Sequence, residues 1–225
     1  MANILTPAVE KYLSEVIPAR DEVLAGMEQY AREHSVPIIG PECGRLLYLL
    51  TQISGARRIF EMGSAIGYSA VWFARAAGPQ AEVYFTDSDP KNVELAKENF
   101  RKAGISNRIH ILLGDAVDLI DTVPGEFDII LIDVFKRQYP AALKKSVPRL
   151  KHGGLVITDN VLWSGKVTEP AKDDDTRGVI EFNKMVYGSG ELFPVIVPLR
   201  DGVAVCRKAC SASRQRNFGG PRPVR

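Results

Sequence analysis

Along the first third of the chain, apolar residues recur at helical spacing. Val9, Leu13, Val16 and Ile17 form one stripe, Pro18 interrupts it, and Val23, Leu24, Met27 and Tyr30 continue it. Thr6-Pro7 supplies an N-cap and a first-turn proline for that helix. After a loop at His34-Ser35-Val36-Pro37, a second helical stripe of Leu46, Leu47, Leu49, Leu50 and Ile53 ends near Gly55. The pattern then changes in the stretch 58–74, RIFEMGSAIGYSAVWFA. Ile59, Phe60 and Met62 form a short apolar run, Gly63 and Gly67 break it, and helical spacing resumes at Tyr68. That pattern predicts a buried strand, a tight glycine turn and a helix start.

Strand and helix signals alternate from there. Strands are expected at 83–86, 109–113, 127–132 and 155–158, with helices at 90–103, 116–120, 139–150 and 176–187. Pro90 opens one helix and Gly104 suits its C-terminal cap. The 127–132 run is almost wholly apolar, as a parallel strand covered on both faces should be. Two last strands, 193–199 and 203–207, are joined through Asp201-Gly202, a hairpin signal. The sum is an α/β domain with a Rossmann-like, doubly wound, mostly parallel seven-stranded sheet and an antiparallel C-terminal hairpin. It would occupy residues 1–208, with an N-terminal helical cap over about 1–56 and neither repeat nor second domain.

At 225 residues and 45% hydrophobic content the chain suits one such domain. No apolar stretch approaches the ~20 residues that span a bilayer. The N-terminus lacks a basic-then-apolar signal pattern, so a cytoplasmic location is expected. Cys43, Cys206 and Cys210 are odd in number and lack zinc-type spacing, so they read as idle or buried thiols. The net charge of +2 is uneven: six of the 29 basic residues follow Asp201, where no acidic residue does, leaving residues 1–201 with 23 basic against 27 acidic. The tail 209–225, rich in Gly, Pro, Ser and Arg, reads as disordered, with a weak nucleic-acid contact as the sharper alternative.

Acidic residues stand at four strand ends: Glu61, Asp87, Asp133 and Asp159. In a parallel sheet these ends share one crevice, where ligands bind. The glycine turn would let backbone approach a ligand closely. Asp87, 24 residues after Gly63, suits both ribose hydroxyls of a bound nucleoside, with Asp89 left to cap the helix at Pro90. Asp133, Asp159 and Asn160 make a hard, oxygen-only ligand set suited to Mg²⁺ or another divalent cation. Lys136 could reach the same place and act as a base. Asp173-Asp174-Asp175 reads as helix capping, and Trp163 could wall a flat substrate.

EMGSAIGYSA, TDSDP, LLGDA, LIDVFKRQY and ITDNVLWSG stand in this order and at compatible spacing, and the chain closes with RDGVAVCRK. From about Pro37 to Lys208 the chain thereby resembles the cation-dependent O-methyltransferases, the group of catechol and caffeoyl-CoA O-methyltransferases, of class I methyltransferase fold. The resemblance implies S-adenosylmethionine over the glycine turn, with Ile39, Glu61, Gly63 and Ser69 at its methionine part. Asp87 would sit at the ribose, and Asp115 and Ala116 by the adenine. It implies Asp133, Asp159 and Asn160 as metal ligands, Lys136 as the catalytic lysine, a catechol-like acceptor and a homodimer through the N-terminal helices. Many relatives carry Asp-Ala-Asp-Lys where this chain has Asp133-Val134-Phe135-Lys136, and plant enzymes carry asparagine where Ser164 stands. Other readings are a tRNA hydroxyuridine O-methyltransferase, favoured by the basic tail and opposed by the acidic balance of 1–201, and a catalytically silent binding protein. A third, an NAD-dependent oxidoreductase, lacks the G-x-G-x-x-G spacing.

Overall fold

The apolar runs assemble into one seven-stranded sheet in the computed structural model, which describes residues 5–209. Its strands are β1 (Arg58–Met62), β2 (Glu82–Asp87), β3 (Ile109–Leu113), β4 (Phe127–Ile132), β5 (Leu150–Thr158), β6 (Leu192–Val197) and β7 (Val203–Lys208), in the order β3-β2-β1-β4-β5-β7-β6. The eight α-helices are α1 (Pro7–Val16), α2 (Glu22–His34), α3 (Gly40–Ser54), α4 (Tyr68–Ala77), α5 (Pro90–Lys102), α6 (Ala116–Leu119), α7 (Tyr139–Arg149) and α8 (Asp174–Gly188).

Strand alternation splits the core into two layers. Ile59, Ile129, Leu131 and Ile157 join Leu24, Leu47, Phe73 and Phe100 on one face. Phe60, Met62, Ile130 and Val156 join Tyr139, Leu143 and Phe182 on the other. Each buried side chain of this size contributes ~1.5–3 kcal/mol relative to exposure. On the first face Glu28 is buried, and it accepts from Arg20 Nη2 at 2.8 Å and from the Tyr68 hydroxyl at 2.8 Å. This pair ties the N-terminal helices to α4, the helix that follows the glycine turn.

The C-terminal hairpin forms as read: β7 runs antiparallel to β6, and also to β5, and lies between the two. Two expectations change in detail. β5 begins at Leu150 rather than after the glycines. Gly153 takes a φ of +79°, and the ladder with β4 shifts register between Phe127 and Ile129, so Gly153-Gly154 form an irregularity inside a strand. The N-terminal stripe is two helices, and no residue of α1 is buried; Val9, Tyr12 and Val16 stay exposed, as do Leu49 and Ile53 of α3. Elsewhere the caps fall as read: Thr6, Asp89 and Asp173 accept the first-turn amides of α1, α5 and α8. Cys43 and Cys206 are buried free thiols. Ala209 is held by its amide on the Glu191 carbonyl at 2.8 Å, while the rest of the tail, Cys210 included, lies outside the described residues. Among the described residues no helix is long and apolar enough to cross a membrane.

Candidate functional site

Strand order reverses direction between β1 and β4, which opens a crevice beyond their carboxyl ends. A cavity of about 800 Å³ lies there. Gly63 stands at the reversal with a φ of +81°, and a Cβ built on it would lie 2.4 Å from the Asp133 carbonyl oxygen. Asp133 N in turn donates to the Met62 carbonyl at 2.8 Å. Glycine is therefore required twice at this residue, for its backbone angle and for the contact between the two strand ends.

One half of the cavity lies over β1, β2 and β3. It is lined by Ile39, Gly63, Ser69, Asp87, Asp115 and Ala116, all expected for the cofactor. Asp87 Oδ2 accepts from Ala65 N at 2.9 Å, and Oδ1 accepts from Asp89 N at 2.8 Å and Asn92 Nδ2 at 3.2 Å. Asp87 thus fixes the turn while facing the cavity. Asp115 caps α6 through Val117 N at 2.8 Å and accepts from Gln138 Nε2 at 2.9 Å.

Glu61 is placed differently from the other strand-end acids. Met62, not Glu61, ends β1, and the Glu61 side chain points to the α4 face, fully buried and outside the cavity lining. Its Oε2 accepts from Ser64 Oγ at 2.9 Å, and Oε1 is buried without a partner among the described residues. Burial pushes its carboxyl up to about 7, against hydrogen bonds from Ser64 and Ser69.

The other half lies over β4, β5 and β7 and gathers Asp133, Lys136, Asp159, Asn160 and Trp163. Lys136 Nζ donates to Asp133 Oδ1 at 2.9 Å and sits 5.2 Å from the Tyr139 ring and 5.7 Å from the Trp163 ring. The Tyr139 hydroxyl donates to the Asp159 carbonyl at 2.8 Å, fixing the end of β5. Asp159 is 4% exposed, and burial, then the charge of Asp133, raises its carboxyl pKa. Its Oδ1 is a buried oxygen without a partner among the described residues. Among the described residues no group of three or more His, Cys, Asp or Glu gathers in metal-ligand fashion. The set here is two carboxylates and an amide. A buried, unpartnered carboxylate oxygen beside a second acid is nonetheless a donor set that fits a hard divalent cation.

Several contributors carry no motif signal. Thr86 Oγ1 donates to the Glu61 carbonyl at 2.6 Å and accepts from Gly63 N at 3.2 Å, bracing the turn from β2. Arg200, from the turn between β6 and β7, lines the cavity from the far side. Among the described residues six non-glycines have positive φ, and Ser35, Ala65, Asn160, Trp163 and Arg200, five of them, line this cavity. Such strain concentrates where a ligand is clamped.

A profile of the O-methyltransferase family matches residues 17–209. A catechol O-methyltransferase of Niastella koreensis is 32% identical over 197 residues, 83% of this chain and 87% of that protein. The O-methyltransferase from Bacillus cereus, solved in complex with SAH, superposes with a TM-score of 0.82 at 27% identity, covering 89% of this chain and 97% of that one. TomG from Streptomyces achromogenes, an O-methyltransferase involved in tomaymycin synthesis and solved with SAM, gives 0.83 at 27% identity, covering 90% and 96%. A seven-stranded sheet with its cavity at the reversal point, matched by that profile over nearly its whole described length, places this chain in the O-methyltransferase family.

Proposed function

We propose that this enzyme transfers a methyl group from S-adenosylmethionine to one hydroxyl of a catechol-like small molecule, with the help of a divalent cation, Mg²⁺ in the first instance. The observation that carries this reading is one cavity with two differently equipped halves: a glycine turn with Asp87 and Asp115, and a polar cluster of Asp133, Lys136, Asp159 and Asn160. The SAH- and SAM-bound relatives support the first half; the catechol O-methyltransferase supports the choice of acceptor.

Asp87 and Asp115 would hold the nucleoside and Ile39, Gly63 and Ser69 the amino-acid part, with Glu61 behind them, accepting from Ser64 Oγ at 2.9 Å. Asp133, Asp159 and Asn160 would hold the cation. When bound, the sulfonium supplies an electrophilic methyl, and the cation acidifies a chelated hydroxyl. Lys136 Nζ takes the hydroxyl proton, and its place beside Asp133 and two aromatic faces keeps it aimed at the cluster. Trp163 and the exposed Phe135 wall a flat ring. By holding the acceptor ring in one orientation, Trp163 and Phe135 would supply much of the acceleration. A homodimer through the N-terminal helices would cover the exposed Val9, Tyr12, Val16, Leu49 and Ile53.

The test is methyl transfer from S-adenosylmethionine to caffeic acid, read by mass spectrometry with Mg²⁺ and again with chelator. Product that disappears on chelation is expected. No product despite cofactor binding would overturn the acceptor assignment, and product that survives thorough chelation would overturn the cation.

A further inference from the structure

We propose that Arg200 binds a carboxylate on the methyl acceptor, so that the preferred substrate is a catechol-like acid rather than a neutral catechol. The inference rests on the acceptor reading above and narrows it.

Arg200 enters the cavity from the β7 side, between the acceptor half and Ile39 of the cofactor half. The sheet order puts β7 beside β5, away from β1, β2 and β3, where the nucleoside side lies. The turn that carries Arg200 is fastened to the segment that holds Asn160 and Trp163. Leu162 N donates to the Asp201 carbonyl at 2.9 Å, Ser164 N donates to Asp201 Oδ1, and a Cβ on Gly202 would lie 2.4 Å from Leu162 Cγ. Across the cavity the guanidinium meets the start of α3. It donates from Nη1 to the Ile39 carbonyl, and its Cζ lies 3.4 Å from where a Cβ on Gly40 would stand.

Its charge has no contact partner. Arg20, Arg58, Arg75, Arg101 and Arg177 each touch a carboxylate. Among the described residues none does so within ion-pair distance of Arg200; Asp159 and Glu42 act on it only through space, and Cys43 shares a hydrogen bond with it. Two cationic side chains line the cavity, Lys136 and Arg200, and Lys136 is already held by Asp133. A partly buried guanidinium keeps its charge and presents a planar fork of donors that matches a carboxylate. Burial lowers its pKa, but nearby groups, Asp159 first, outweigh burial and raise it, so the guanidinium stays charged and can pair with an anion that a ligand brings into the cavity.

The backbone adds an independent observation. Arg200 has a φ of +51°, a conformation that glycine adopts freely and an arginine only at a cost. Strain of this kind at a cavity wall points to use of the side chain.

The experiment compares protocatechuate with protocatechuyl alcohol, which share the catechol ring and differ in a carboxylate against a hydroxymethyl group. The wild type and Arg200→Gly are assayed on both, with Arg200→Gln as a second variant should the first fail to fold. Glycine suits the backbone angle, so Arg200→Gly is expected to fold. The wild type should favour the acid in kcat/KM by about tenfold or more, the scale of a charge-assisted hydrogen bond. In the variant that preference should collapse toward parity, chiefly through KM for the acid. An unchanged preference overturns the proposal. So does a variant that loses affinity for S-adenosylhomocysteine by calorimetry while keeping its acid preference, because the carboxylate recognised would then be the cofactor's. Should the wild type methylate neither compound, the catechol reading fails by itself. Calorimetric binding of protocatechuate to the cofactor-loaded protein then decides: loss in Arg200→Gly supports the carboxylate site, and equal binding overturns it.

Discussion

A Cβ on Gly178 of α8 would stand 2.3 Å from the main-chain oxygen of Lys136 and 2.7 Å from Arg137 Cα. The helix therefore presses directly on the short turn that carries the candidate base, and backbone atoms cannot swing aside as a side-chain tip can. Gly178 lies inside a helix, so alanine there gains about 1 kcal/mol of helix preference, which the clash with backbone atoms outweighs. Gly178→Ala should cost ~1–3 kcal/mol of stability, the range for overpacking. It should also lower kcat, because Lys136 rides on the displaced turn. Thermal melts beside steady-state kinetics check both; a lowered Tm with normal kcat would show that the turn holds its place.

Lys136→Ala removes the donor to Asp133 and the group proposed to take the proton. A general base contributes about a hundredfold or more, so kcat should fall on that scale. Calorimetric affinity for S-adenosylhomocysteine should change little, since Lys136 lies on the acceptor side. A wild-type rate would remove Lys136 from the chemistry.

Chelation should abolish methyl transfer and added Mg²⁺ should restore it. In Asp133→Ala, Mg²⁺ should fail to restore turnover at any workable concentration, while cofactor affinity remains measurable. Restoration at wild-type Mg²⁺ levels would show that Asp133 is not a ligand.

Glu61 predicts a pH effect on stability. Its carboxyl is raised from 4.5 to about 7 in the folded chain, chiefly by burial. The folded state thus holds a proton that the unfolded state has released between those values, and the group's stabilising contribution is lost as pH rises from about 4.5 to about 7. Glu61→Gln stays neutral throughout. Without cofactor, its Tm should exceed that of the wild type by several degrees at pH 8, ~2–4 °C per kcal/mol for a domain of this size, and by little at pH 4.5. Its affinity for the cofactor should drop. Parallel Tm curves across the range would mean that Glu61 titrates as an exposed acid.

Motifs in the chain were enough to bring the glycine turn, Asp87, Asp133, Asp159-Asn160 and Lys136 to one cavity, because strand ends in a parallel sheet must share one edge. The same logic misplaced Glu61. Period-2 alternation sends it to the α4 face one residue before the edge, and only Met62 ends the strand. β5 began five residues earlier than read, since a glycine pair inside a strand looks like a turn until β4 lies beside it.

Local chemistry therefore determined the order of elements, the caps and the candidate acids, which depend on residues a few positions apart. What tertiary structure alone decided was the company those residues keep. Arg200 meets Ile39 across 161 residues, Thr86 braces Gly63 across 23, and Gly178 bears on Lys136. Contacts at such separation leave no periodic trace, because they are set by how layers pack rather than by the repeat of any one helix or strand.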